Sequence, residues 1–151
     1  MLYQKIAFLF VFPVLLCFIG CGPKTVHVSG VVTYDGKPAK DIRILFQGTG
    51  SGTHVPPPAI GVTDAEGKYE LILAETRKKG VLPGTYTIYM SWADPHPDPN
   101  PVEGLSNDNP NPYKFPIKAT NGEMSFTVTD SGTKDANFDL EPASGTQRSG
   151  I

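Results

Sequence analysis

A chain of 151 residues with 39% hydrophobic side chains has enough apolar material for one core and too little length for a multi-domain machine. Gly 16 and Pro 15 together make up roughly a fifth of the residues, which disfavours a helical bundle and favours short strands joined by many turns. A formal net charge of -2 with 19% charged residues carries neither the basic excess of a nucleic-acid binder nor the charge density of a disordered acidic tail.

The first segment reads as an export signal. Lys5 precedes an apolar run from Ile6 to Ile19, and Gly20 and Cys21 close it. The run is too short to span a bilayer comfortably, and Pro13 inside it disfavours a buried helix. Phe18-Ile19-Gly20-Cys21 resembles the lipobox of bacterial lipoproteins, with Phe18 where leucine is usual. The resemblance implies removal of residues 1–20, lipidation of Cys21 through its thiol and a tether over residues 21–24. Cys17 is the poorer candidate because the large Leu16 precedes it. Both cysteines lie at or before that processing site, so the exported domain has no internal disulfide and relies on core burial. Its charge stays acidic, which leaves the acyl chains to do the anchoring.

Residues 25–140 read as a β-sandwich domain. From Thr25 to Tyr34, Val26, Val28, Gly30, Val32 and Tyr34 alternate with Thr25, His27, Ser29 and Thr33, and Val31 is the one apolar residue on the other face. Asp35-Gly36-Lys37-Pro38 is a turn, and Ile42, Ile44 and Phe46 resume the alternation. A Gly- and Pro-rich loop over 48–58 leads to a short strand at 59–63. A turn at Asp64-Ala65-Glu66-Gly67 joins it to a strand with Tyr69, Leu71 and Leu73 inward, which predicts a hairpin. Glu75 to Lys79 has the length of one helical turn. Tyr86, Ile88, Met90 and Trp92 share a face of the strand from Thr85, and further strands are expected at Met124–Thr129 and Ala136–Leu140. Seven short strands with regularly spaced turns predict an all-β, antiparallel sandwich. The tail, residues 141–151, is rich in Ser, Gly and Thr and is expected to be flexible.

Three pieces then carry a resemblance: Gly30-Val31-Val32 with Asp35-Gly36-Lys37-Pro38, Thr63-Asp64-Ala65-Glu66-Gly67-Lys68-Tyr69-Glu70-Leu71, and Pro83-Gly84-Thr85-Tyr86-Thr87-Ile88. Together they look like the carboxypeptidase regulatory-like family, in particular its small lipoproteins of the kind common in planctomycetes. The resemblance implies a seven-stranded transthyretin (prealbumin)-like sandwich without catalytic activity of its own. On its own chemistry, Asp64 holds the turn through its side chain, Gly67 takes a positive φ, and Tyr69 returns to the core. A calcium site at Asp64 and Glu66 is the functional rival, but its ligand shell is incomplete.

Enzymes on similar folds find no counterpart in the sequence. The chain lacks the Tyr-Arg-Gly-Ser ending of hydroxyisourate hydrolases, and His27, His54 and His96 are too scattered for the iron site of intradiol dioxygenases. No Gly-x-Ser-x-Gly elbow occurs, and no cysteine is free to act as a nucleophile. A Lys-Asn isopeptide bond would need an inward asparagine, whereas Asn137 alternates with Phe138 and should point outward. No catalytic residue, metal or cofactor is expected.

The segment Ala93 to Pro116 holds seven of the fifteen prolines and reads as a long loop. Trp92 enters it and Tyr113 and Phe115 leave it, so these three are the candidate ligand contacts. The loop suits a glycan, a proline-reading partner or a divalent ion; the simpler reading is a solvated insertion whose aromatics pack back on the sandwich edge. The functional expectation is a lipid-anchored, non-catalytic envelope protein, attached to the outer membrane on its periplasmic or exterior face. It would act as a structural or protein-interaction module whose partners are the membrane and an envelope protein, with no nucleic acid. The alternative is a carbohydrate-binding module using Trp92, Tyr113 and Tyr89.

Overall fold

The structure, a computed structural model, describes residues 24–50, 55–94 and 111–143. Among them two β-sheets form a sandwich-like arrangement around one apolar core. The strands are β1 (Ser29–Tyr34), β2 (Lys37–Pro38), β3 (Ile42–Gly48), β4 (Ala59–Val62), β5 (Lys68–Glu70), β6 (Ile72–Leu73), β7 (Gly84–Trp92), β8 (Met124–Val128) and β9 (Phe138–Leu140), with one short helix, α1 (Ile117–Thr120), before β8. In the first sheet β1 is central, paired with β2 and β5 and with β9; the second runs β6-β4-β3-β7-β8.

The period-two patterns fold as their chemistry dictates. Ile42, Ile44 and Phe46 of β3 and Tyr86, Ile88 and Met90 of β7 are all buried, while Arg43, Gln47, Thr85 and Ser91 face out. Phe46 lies between Tyr86, Phe126 and Phe138, at ring separations of 5.7, 5.8 and 6.3 Å, so β3, β7 and β8 of one sheet meet β9 of the other through aromatic edges. Trp92, at the end of the same face as Tyr86, Ile88 and Met90, is only half-buried. Asp35 and Gly36, both at positive φ (53 and 70°), form the two-residue turn between Tyr34 and Lys37. Such a turn matches strand twist, and it adds the small strand β2 where the sequence pattern indicates only a turn.

Three expectations are corrected. The stretch 69–73 is not one strand of a hairpin: Gly30 and Tyr69 pair in the first sheet, whereas Ile72 and Leu73 pair with Ile60 and Ala59 in the second. The chain changes layers at Leu71, which is fully buried, donates its N–H to Val28 and accepts from Gly80. The sandwich is not wholly antiparallel, because β9 runs parallel to β1, Val32 opposite Phe138. The connection after β8 changes sheets and is laced to the first strand on the way, by Thr133 N–H to His27, Ser29 N–H to Thr133 and Ala136 N–H to Ser29. Regular pairing in 25–34 begins only at Ser29; Val26 instead exchanges two hydrogen bonds with Val81. The single turn expected at 75–79 forms two residues earlier, closed by Arg77 N–H to the Leu73 carbonyl, and a short helix that the sequence pattern does not indicate forms at 117–120, directly after Pro116.

Two buried hydroxyl groups fix the layer crossing. Thr63 Oγ1 accepts the Ile42 N–H at 2.8 Å, and the Tyr69 phenol donates to the Ala136 carbonyl at 2.6 Å. Gly30 makes room for the second bond, since a Cβ there would overlap the Ala136 carbonyl. Burial pushes the Tyr69 phenol well above its ordinary value and the Tyr86 phenol up to about 12. Tyr69→Phe leaves the Ala136 carbonyl without its donor and is expected to cost about 1–3 kcal/mol in urea unfolding. A phenol whose folded pKa is raised favours the fold in its neutral form. Stability should therefore hold up to pH 10 and fall as pH rises from 10 through about 12, read by unfolding midpoints across that range.

Candidate functional site

The predicted long loop begins and ends on one corner of the sandwich. Ala93, just past β7, donates its N–H to the Asp41 carbonyl at 2.7 Å, and the Tyr113 phenol donates to the adjacent Lys40 carbonyl at 2.8 Å. The corner is itself held from below. Asp41, at φ 58, donates its N–H to the Thr63 carbonyl, while Ile42 exchanges bonds with the backbone and side chain of Thr63. The two feet of the segment 95–110 thus stand on neighbouring carbonyls. Residues 95–110, with His96, lie outside the described residues, as do His54, Cys21, residues 1–20 and the tail beyond 143.

The aromatics leaving the loop are used by the fold. Tyr113 meets Tyr34 edge-on at 5.2 Å and Phe115 at 5.8 Å, and all three pack against the core. The Tyr34 hydroxyl both accepts the Lys114 N–H (3.0 Å) and donates to the Lys114 carbonyl (3.2 Å), and Ala143 N–H reaches the same carbonyl. Burial is the larger influence raising the Tyr113 phenol above its ordinary value; the Asp41 carboxylate adds to it and Lys40 opposes it. Trp92 shares this end through its pairing with Ile42, but its ring joins none of these aromatic contacts. Of the candidate contacts, Tyr113 and Phe115 therefore form one cluster with Tyr34, which the sequence pattern does not single out, and Trp92 stands apart from it.

At the Thr63–Tyr69 turn, Asp64 Oδ1 accepts the N–H groups of Glu66 (3.0 Å) and Lys68 (2.9 Å), and Gly67 sits at φ 73 with its carbonyl receiving the Val32 N–H. A Cβ on Gly67 would come within 2.5 Å of the Val32 carbonyl oxygen. The carboxylate is thus engaged as a backbone cap. Among the described residues no three His, Cys, Asp or Glu side chains converge as metal ligands would. Asn137 points outward, as its phase predicts, and its side-chain oxygen accepts the Val31 N–H at 2.8 Å.

One polar trio escapes sequence reasoning. His27 Nε2 lies 3.0 Å from Ser29 Oγ and His27 Nδ1 lies 3.3 Å from Glu70, whose other oxygen meets Lys79 at 3.2 Å. Beside it is a hollow of about 250 Å³ lined by Ser29, Gly30, Val31, Lys68, Tyr69 and Lys134. The available signal was the i, i+2 spacing of His27 and Ser29, but their match to Glu70 comes only from strand pairing with β5. Nucleophile, base and acid stand in the order that acyl transfer uses. The missing part is the oxyanion hole: Ser29 N–H is committed to Thr133 and Val31 N–H to Asn137, because strand residues spend their amides on neighbours. His27 and Glu70 are also about half and a third exposed (48% and 37%), so water competes for the relay.

No family model matches the chain, and neither the curated proteins nor the solved structures yield a match.

The trio gives a direct chemical test. A fluorophosphonate probe is expected to leave Ser29 unmodified after prolonged incubation, as read by intact mass. Labelling that disappears in both Ser29→Ala and His27→Ala would establish a working nucleophile instead.

Proposed function

We propose that this chain is a lipid-anchored, non-catalytic module of the bacterial envelope that works through protein interaction at the Lys40–Asp41 corner. The observation that carries the reading is the pinning of both feet of the 95–110 segment on adjacent carbonyls, by Ala93 N–H and the Tyr113 phenol. A segment of that length joined at one point suits recognition, since the scaffold absorbs the cost of holding its ends together. The anchor is Cys21 at the end of the lipobox-like run, three residues before Lys24, where the described part of the domain begins. That short tether would hold the sandwich close to its membrane, in the outer membrane by the sorting expected for glycine after the cysteine.

The fold is proposed to be of the carboxypeptidase regulatory-like, transthyretin-like type. Supporting this, the seven predicted strand segments each contain a strand, and Asp64, Gly67 and Tyr69 each have the structural duty that the motif assigns them. Carbohydrate recognition by stacking has weaker support, because Tyr113 commits its hydroxyl to Lys40 and its ring to Tyr34 and Phe115.

The test uses the full chain in its own membrane. Metabolic labelling with an alkyne fatty acid should mark the chain and fail in Cys21→Ser. A photoreactive side chain at exposed Lys114 should then capture a protein. A glycan adduct overturns the reading in favour of carbohydrate recognition, and the absence of any adduct removes the interaction role from this corner.

A further inference from the structure

Strand edges expose unpaired N–H and C=O groups, and folded proteins usually blunt them with charge, proline, brevity or cover. Most edges here are blunted. β2 carries Lys37 and Pro38, β5 is bounded by Lys68 and Glu70, and β9 is three residues long with Asp139 at its centre. β6 is two residues long and is covered by Leu73 N–H to Lys78 and a bridge from Ile72 to Lys79. β8 differs from all of these. Met124–Val128 is five residues long, has no charge and no proline, and makes no hydrogen bond on its outer side among the described residues.

Which groups it offers follows from the ladder. Thr85 gives its carbonyl to Thr49 on the β3 side of β7, so alternation turns Tyr86 and Ile88 toward β8, where they face Phe126 and Met124. The N–H and C=O groups of Ser125 and Thr127 therefore point away from β7. Met-Ser-Phe-Thr-Val has the same order of side-chain classes in either direction: apolar, hydroxyl, aromatic, hydroxyl, apolar. We infer that the outer edge of β8 pairs antiparallel with β8 of a second copy of this chain, about a twofold axis at Phe126.

In that register Ser125 of each copy meets Thr127 of the other, outward N–H to outward C=O. Met124 lies opposite Val128 and Phe126 opposite Phe126, on the face where Phe126 already packs with Phe46 and Phe138. Ser125 and Thr127 line up on the opposite, exposed face. The half-buried Met124 and Phe126 are covered by Val128 and Phe126 of the second copy, and the two five-stranded sheets become continuous. A self-matching strand without charge selects its own copy, because an isologous interface needs each residue class to meet its partner under reversal. The inference rests on the interaction-module reading for one advantage: anchors in a shared membrane raise the effective concentration of one copy for another.

The test places a photoreactive phenylalanine analogue at Ser125 of the full chain in its membrane. The expected product is an adduct of two copies of the lipid-anchored chain containing no other protein, with none from the same probe at exposed Thr76, in the turn after β6. Thr127→Pro removes an outward donor from each copy and should lower that adduct at least tenfold. Thr127→Lys, which sets a charge on each side of the seam, should do the same while the purified chain keeps its circular dichroism spectrum. Adducts with other proteins only, no adduct, or an adduct that survives both substitutions overturns the pairing. Capture from Lys114 without capture from Ser125 defeats the β8 pairing alone, whereas silence at both positions defeats the interaction module as well.

Discussion

Two buried hydroxyl groups at the ends of one seven-residue turn hold the layers of this protein in place. Thr63 closes the second sheet by taking the Ile42 N–H, and six residues later Tyr69 closes the first by giving its proton to Ala136. Each bond satisfies a backbone group that the crossing removes from water, and such a group left bare in a core is costly. The turn between them leaves little freedom, since Asp64 caps it and Gly67 supplies the one positive φ that its close approach to Val32 requires. The aromatic seam of Phe46, Phe126 and Phe138 lies between the two sheets that these bonds hold together.

The same constraint reaches the outer surface. Thr63 supports Asp41 and Ile42, and the carbonyls of Lys40 and Asp41 in turn receive Tyr113 and Ala93. A rigid core residue, a strained corner and the feet of a long segment therefore form one chain of contacts. Surface recognition commonly draws on such an arrangement, in which variable sequence is mounted on carbonyls that cannot move. The His27, Ser29 and Glu70 trio shows the opposite case. Strand pairing sets Ser29 beside Glu70 with His27 two residues away, while the Ser29 and Val31 amides that chemistry at Ser29 would need are taken by the Thr133 carbonyl and the Asn137 side chain.

Local pattern and turn chemistry made much of the architecture legible. Alternating apolar residues placed the buried faces of β3, β7 and β9, because a strand's side chains repeat every second residue wherever one face is buried. The turn at Asp64–Gly67 and the outward phase of Asn137 were readable for the same local reason. The candidate contacts were only partly legible: Tyr113 and Phe115 do stand together, but their partner Tyr34 lies 79 positions from Tyr113 in the chain, beyond any local pattern.

The sequence by itself determined an all-β chain of short strands, its inward residues and its turns, since these depend on neighbours a few positions apart. Only the tertiary structure decided that residues 69–73 divide between two sheets, that β9 runs parallel to β1, and that Ala93 and Tyr113 stand on adjacent carbonyls. Those outcomes depend on which distant backbone groups find partners when the two layers close. A period-two pattern names the face of a strand and carries no information about the strand beside it.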